Sequence, residues 1–212
     1  MNTKEILRYL GYGRHEAKEQ VLVLIEACVR ELERAAVPKS IYKEYPLSFY
    51  GEEGIDCCAF QTCSKALKKN LKDCQSVLLF GATLGTGVDL LLHRYNRLQM
   101  SKAVVLQAAA AAMLEDYCDQ MNEELEKKYE EKGLYLRPRF SPGYGDFSLE
   151  CQPALLGCLE AGKRIGITLT DSLLMAPSKS VTAVIGISRI PGTCGMRSCQ
   201  DCEKRDCAYR RT

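Results

Sequence analysis

The longest uninterrupted pattern in the chain runs from Ser101 to Lys132, with no glycine or proline in it. Ala108 to Ala112 are consecutive small, strongly helix-forming residues, and Met113, Leu114, Cys118, Met121 and Leu125 continue an apolar stripe. A helix of about thirty residues is on the order of 45 Å long, so the rest of the chain must be arranged beside it. The alanines let a neighbouring element approach closely, and core packing is their expected role. The final stretch, Glu123 to Lys132, is charged on all sides and is expected to project into solvent.

Around this rod the other segments differ in type. Lys4 to Leu10 reads as a short helix stopped by Gly11-Tyr12-Gly13. Glu16 to Ala36 places Val21, Leu22, Ile25, Val29 and Leu32 at helical spacing, and Pro38 follows its end. Ser40 to Tyr50 holds β-formers and aromatics around Pro46, the pattern of an extended edge segment. Ser64 to Lys72 is a basic amphipathic helix whose lysines form a solvated face. Gln75 to Ala82 is an apolar strand leading through Gly81, Gly85 and Gly87 into a helix from Val88. Those glycines lack the third glycine of the dinucleotide pattern and the Gly-Lys-Ser/Thr of the P-loop, so they read as a tight strand-to-helix turn. Gln152 to Arg164 is another amphipathic helix; Gly166 to Leu169 and Ser180 to Ile187 are β-like pieces joined through Met175-Ala-Pro177. Strands separated by long helices, without a regular βαβ series, indicate an α+β single domain with a mainly antiparallel sheet flanked by long helices. The globular part is expected to span residues 1–190, with 191–212 a separate cysteine-rich tail.

Composition excludes several functions. A net charge of +2 argues against nucleic acid as the main partner, and no apolar run of about 18 residues is present to cross a membrane. The N-terminal Met1-Asn-Thr-Lys-Glu leads into a polar amphipathic segment, and the twelve cysteines stand in a chain rich in aliphatic residues. Both point to a cytoplasmic protein with reduced thiols. His15 and His93 are the only histidines, which argues against a histidine-based triad or a multi-histidine metal site. Cys57 and Cys63 match no familiar ligand spacing and are expected to be buried or incidental thiols.

Arg139-Phe140-Ser141-Pro142-Gly143-Tyr144-Gly145 is a poor helix and a poor central strand. Pro142 fixes its own φ and pushes Ser141 toward an extended backbone, and Gly143 permits a turn or the close approach of a ligand. By residue type alone this is either an ordinary Pro-Gly turn or a loop that holds a carboxylate-bearing, partly aromatic small molecule. In the second case Arg139 pairs with the carboxylate and Tyr144 covers a flat ring.

The run from Arg139 to Tyr144 resembles the Arg-x-x-Pro-Gly-Tyr motif of the activation domain of cobalamin-dependent methionine synthase. Gly166-Ile-Thr-Leu-Thr-Asp-Ser-Leu-Leu-Met-Ala-Pro-Ser-Lys-Ser-Val-Thr182 is similar to that domain's Gly-x-x-Leu-Thr-x-Ser-x-x-Met-x-Pro-x-x-Ser-Val run. The resemblance extends from about Gln75 to Ser188 and is most specific from Arg139 to Val184. It implies an S-adenosylmethionine site in which Arg139 holds the carboxylate, the backbone around Ser141 and Gly143 meets adenine or sugar edges, and Tyr144 packs alongside. It further implies that Glu115, in Glu115-Asp-Tyr-Cys-Asp119, balances the ligand's positive end. The family's tyrosine pair after the Ser-Val strand is absent, since that region reads Arg189-Ile-Pro-Gly-Thr-Cys194. The implied role is an accessory reactivation subunit of a methyltransferase system, supporting reductive remethylation of cob(II)alamin on a methionine synthase acting in trans. Cobalamin is expected on the partner, because no Asp-x-His-x-x-Gly motif occurs here, and an electron donor is needed as well. Two alternatives stay open: an S-adenosylmethionine sensor or scaffold for another corrinoid protein, and a redox protein using the tail.

That tail reads Cys194-x4-Cys199-x2-Cys202-x4-Cys207 among Arg, Lys, Asp and Glu. So polar a segment buries little surface, and four thiolates on one ion or cluster would order it. Structural zinc, an iron–sulfur cluster and an unligated tail are all compatible with the spacing.

Overall fold

The computed structural model describes residues 2–12, 15–57 and 60–191. In chain order it contains α1 (Thr3–Tyr9), α2 (Glu19–Ala35), β1 (Lys39–Pro46), β2 (Ser48–Tyr50), β3 (Gly54–Asp56) and β4 (Gln61–Cys63). Next come α3 (Lys65–Asn70), β5 (Cys74–Thr83), α4 (Thr86–Leu98), α5 (Met100–Glu130) and β6 (Tyr135–Leu136). A 3-10 turn at Leu149–Cys151 then leads to α6 (Gln152–Leu159), α7 (Ala161–Arg164), β7 (Thr168–Leu169), β8 (Met175–Ala176) and β9 (Ser180–Ser188). The main sheet has the order β1-β5-β9-β6, antiparallel throughout, beside two small sheets, β2-β3-β4 and β7-β8. The α+β architecture expected from the sequence is the one observed.

The central strand β5 has a near-continuous apolar sequence because both of its faces are covered. Leu78, Phe80 and Ala82 point into a core made with α1, α2, α4 and α5. Val77 and Leu79 point into a second core with α3, α6, α7 and β3. The alanine run of α5 packs as expected, with Ala109 and Ala110 wholly buried.

Three expectations need correction. The distal part of α5 does not project into solvent: Leu125 and Tyr129 are buried, the Tyr129 hydroxyl donates to Glu44 at 2.9 Å, and Lys128 reaches the Tyr42 hydroxyl at 2.8 Å. Two apolar residues one turn apart suffice to dock that end on β1, although charge surrounds them in sequence. Ser40 to Tyr50 is not one segment; Pro46 ends the sheet edge, and β2 belongs to a different sheet. Gln152 to Arg164 is two helices, because Glu160 adopts left-handed φ 51° and ends α6. The glycine turn after β5 is structural, with Gly85 at φ 84° and Gly87 packed on the Ala35 backbone.

Candidate functional site

The segment after β6 crosses from one core to the other. Tyr135 and Leu136 pair with Ser188 and Ile187, and the Arg137 N–H donates to the Gly186 carbonyl at 2.8 Å. Phe140 and Val184 then exchange hydrogen bonds in both directions. Two steps along β9, from Gly186 to Val184, therefore face three along this segment, from Arg137 to Phe140. The extra residue forms a bulge around Pro138, which has no N–H to give to a ladder. Strict alternation would put Leu136 and Phe140 on one face. Instead Leu136 packs with the helical core and Phe140 with the other.

The bulge separates two arginines. Arg137 is buried, and its Cγ lies over Gly186, where an added Cβ would approach it to 3.1 Å. Its Nη1 has no hydrogen-bond partner among the described residues. Arg139 turns to the middle of α5, where Glu115, Cys118 and Asp119 share one face through their three- and four-residue spacing. Its Nη2 donates to Asp119 Oδ1 at 2.6 Å and to Glu115 Oε2 at 3.3 Å. Side-chain exposure is 18% for Arg139, 35% for Glu115 and 52% for Asp119, so the cluster opens outward through its acids. Beneath it Cys118 is fully buried; burial pushes its thiol up to about 12, against the opposing pull of Arg139, so it stays protonated at neutral pH. The sequence alone shows Glu115 and Asp119 on one helix face, but their shared partner becomes visible only in the fold.

Beyond Phe140 the chain makes a compact turn. Gly143, at φ 93°, donates to the Phe147 carbonyl at 2.8 Å, and the Tyr144 N–H donates to the Ser141 carbonyl at 3.1 Å. These bonds fix the turn's shape and commit the Gly143 N–H internally. Asp146 anchors the far end, accepting from the Ser64 hydroxyl, the Lys65 N–H at 2.7 Å and the Ala66 N–H at 3.1 Å. It thus caps α3, and the Ser64 bond, ahead of the backbone donors, holds its carboxyl below the usual carboxylate range.

Of the sequence-derived site residues, Glu115 and Arg139 are brought together. Ser141 and Gly143 form the turn that follows, and Tyr144, 60% exposed, packs edge-on against Phe140 with ring centres 6.3 Å apart. Cys194, Cys199, Cys202 and Cys207 lie outside the described residues. Cys57 is buried and Cys63 exposed. Arg137 and Asp146 were not anticipated; their signals, a second arginine beside a proline and an acid after a glycine turn, are too common to single them out.

No family model matches this chain, and no curated protein matches it in sequence. Among solved structures, one described as the crystal structure of the MetH reactivation domain bound to AdoHcy superposes with a TM-score of 0.60 at 15% identity. The match covers 91% of this chain and 78% of that one. The chain therefore shares the fold of that reactivation domain.

Proposed function

We propose that this protein is an S-adenosylmethionine-binding reactivation subunit, supporting reductive remethylation of cob(II)alamin on a cobalamin-dependent methionine synthase, or a related corrinoid protein, in trans. The observation that carries the reading is the meeting of Arg139 with Glu115, 24 positions apart in sequence, in a half-open cluster beside the Pro-Gly-Tyr turn. A cation and a carboxylate side by side suit the α-carboxylate and α-ammonium of an amino-acid ligand. The fold shared with a domain bound to AdoHcy supports the same ligand class.

S-adenosylmethionine, when bound, supplies an activated methyl group on its sulfonium. Arg139 holds the ligand carboxylate and Glu115 offsets the positive end. The turn from Ser141 to Gly143 borders the adenine or ribose, and the exposed Tyr144 ring packs alongside. The part asked of the chain is placement and exclusion of water, with no acid, base or nucleophile of its own. The corrinoid and an electron donor come from other proteins, in the cytoplasm. Among the described residues no helix is long and apolar enough to cross a membrane. The tail cysteines Cys194, Cys199, Cys202 and Cys207 enter the proposal as ligands of one zinc ion or iron–sulfur cluster, to be tested by zinc and iron analysis of anaerobically purified protein.

Calorimetric titration with S-adenosylmethionine, wild type beside Arg139→Ala, tests the ligand assignment. Saturable binding by wild type that the variant loses is expected. Remethylation of cob(II)alamin on an added partner should then require the wild-type chain. Binding without any effect on cob(II)alamin would favour the sensor reading, and no binding with or without the partner would sink the assignment.

A further inference from the structure

The ligand assignment uses one acid of the Arg139 cluster, but the cluster has two, and the unassigned one is closer. Asp119 Oδ1 stands 2.6 Å from Arg139 Nη2, against 3.3 Å for Glu115 Oε2, and both bonds fall on the same nitrogen. A ligand carboxylate that takes Arg139 Nη2 therefore competes with both acids, and above all with Asp119, whose shorter bond is the stronger hold. The displaced acid cannot leave, because it sits on the rigid α5 only one turn from Glu115. Once the ligand carboxylate has neutralised the guanidinium, two carboxylates face the remaining charges of the ligand. S-adenosylmethionine has two positive groups, an ammonium and a sulfonium. Its demethylated thioether product retains only the ammonium.

We infer that Asp119 is a specificity residue that makes the site prefer the sulfonium form over the thioether, by matching one cation and two carboxylates to a ligand with one carboxylate and two cations. This rests on the ligand reading above. With the thioether bound, one carboxylate of the pair has no counter-charge. Selection by charge count favours release of the spent ligand and exchange for a fresh one.

The test is titration of wild type, Asp119→Asn, Asp119→Glu and Arg139→Ala with S-adenosylmethionine and, separately, S-adenosylhomocysteine. The ratio of the two affinities is the readout, because loss of competition for Arg139 affects both ligands alike and cancels. Asp119→Asn should narrow the preference for the sulfonium about two- to fivefold, the scale of a half-exposed ion pair, while Asp119→Glu preserves it. An unchanged ratio in Asp119→Asn, with Arg139→Ala binding neither ligand, would overturn the role of Asp119 alone. Wild-type binding that Arg139→Ala retains, or no binding by any chain, would overturn the underlying assignment and this inference with it.

Discussion

The two faces of the main sheet are covered by different kinds of structure. On one, α5 and the helices α1, α2 and α4 packed around it share one apolar core with β5 and β9. On the other, two short helices, a one-turn helix and loop aromatics fill the core, tied together by side-chain hydrogen bonds to backbone such as those of Asp146. The contrast shows how each face gains its stability. Rods packed through alanines have little freedom to move into a void, whereas short pieces on flexible connections can partly collapse around one.

Leu78 and Leu79, adjacent on β5 and both fully buried, test this directly because they point into opposite cores. Each change to alanine should cost about 2–5 kcal/mol in urea unfolding, with Leu78→Ala nearer the upper end. Equal or reversed costs would remove the distinction. Gly186→Ala probes the irregular face by overpacking: the new Cβ would meet Cys74 Sγ at 2.5 Å and Leu71 Cδ2 at 2.9 Å. A loss of about 1–3 kcal/mol is expected, and a silent substitution would mean this face yields more readily than its contacts imply. Tyr129→Phe removes the hydroxyl that ties the distal end of α5 to Glu44 and should cost about 0.5–1.5 kcal/mol.

Two smaller effects separate charge from packing. Asp146 has a folded pKa below its unfolded value, so the stability it contributes is present above about pH 3.9 and is lost as pH falls through the lower folded value. Asp146→Asn should be less stable near neutrality, and the gap to wild type should close on acidification; a constant gap would mean the carboxylate charge is not what caps α3. Arg137→Met should leave stability unchanged or raise it slightly, since it removes a buried nitrogen that has no acceptor among the described residues and keeps an aliphatic chain over Gly186. A clear loss there would show that the Arg137 guanidinium is stabilising.

Legibility in the sequence differed along the same line. The helices of the regular face announce themselves through periodic apolar residues, and the apolar run from Val77 to Ala82 marks a strand with both sides covered. The other face has little periodicity to read. Its β3 and β4 have three residues each, and β7 and β8 two each, too short for an alternating pattern to emerge. The left-handed Glu160 that splits α6 from α7 has no glycine to signal it. At the candidate site, Arg139 and the Pro-Gly-Tyr turn could be singled out by residue type. The pairing of Arg139 with Asp119 could not, because a charged residue on an exposed helix face looks alike with or without a partner from a distant segment.

The amino-acid sequence by itself determined the long α5, the apolar strand β5, the tight glycine turn before α4 and the sharp turn at Pro142-Gly143, since each follows from local backbone preference or apolar periodicity. Only the tertiary structure decided that Pro138 inserts a bulge, that the bulge sends Arg137 to one core and Arg139 to the other side, and that Glu115 and Asp119 meet the same guanidinium nitrogen. The physical reason is register. A single extra residue between Arg137 and Phe140, opposite the stretch from Gly186 to Val184, changes which face every later side chain occupies, and that offset exists only once β9 is in place to be counted against.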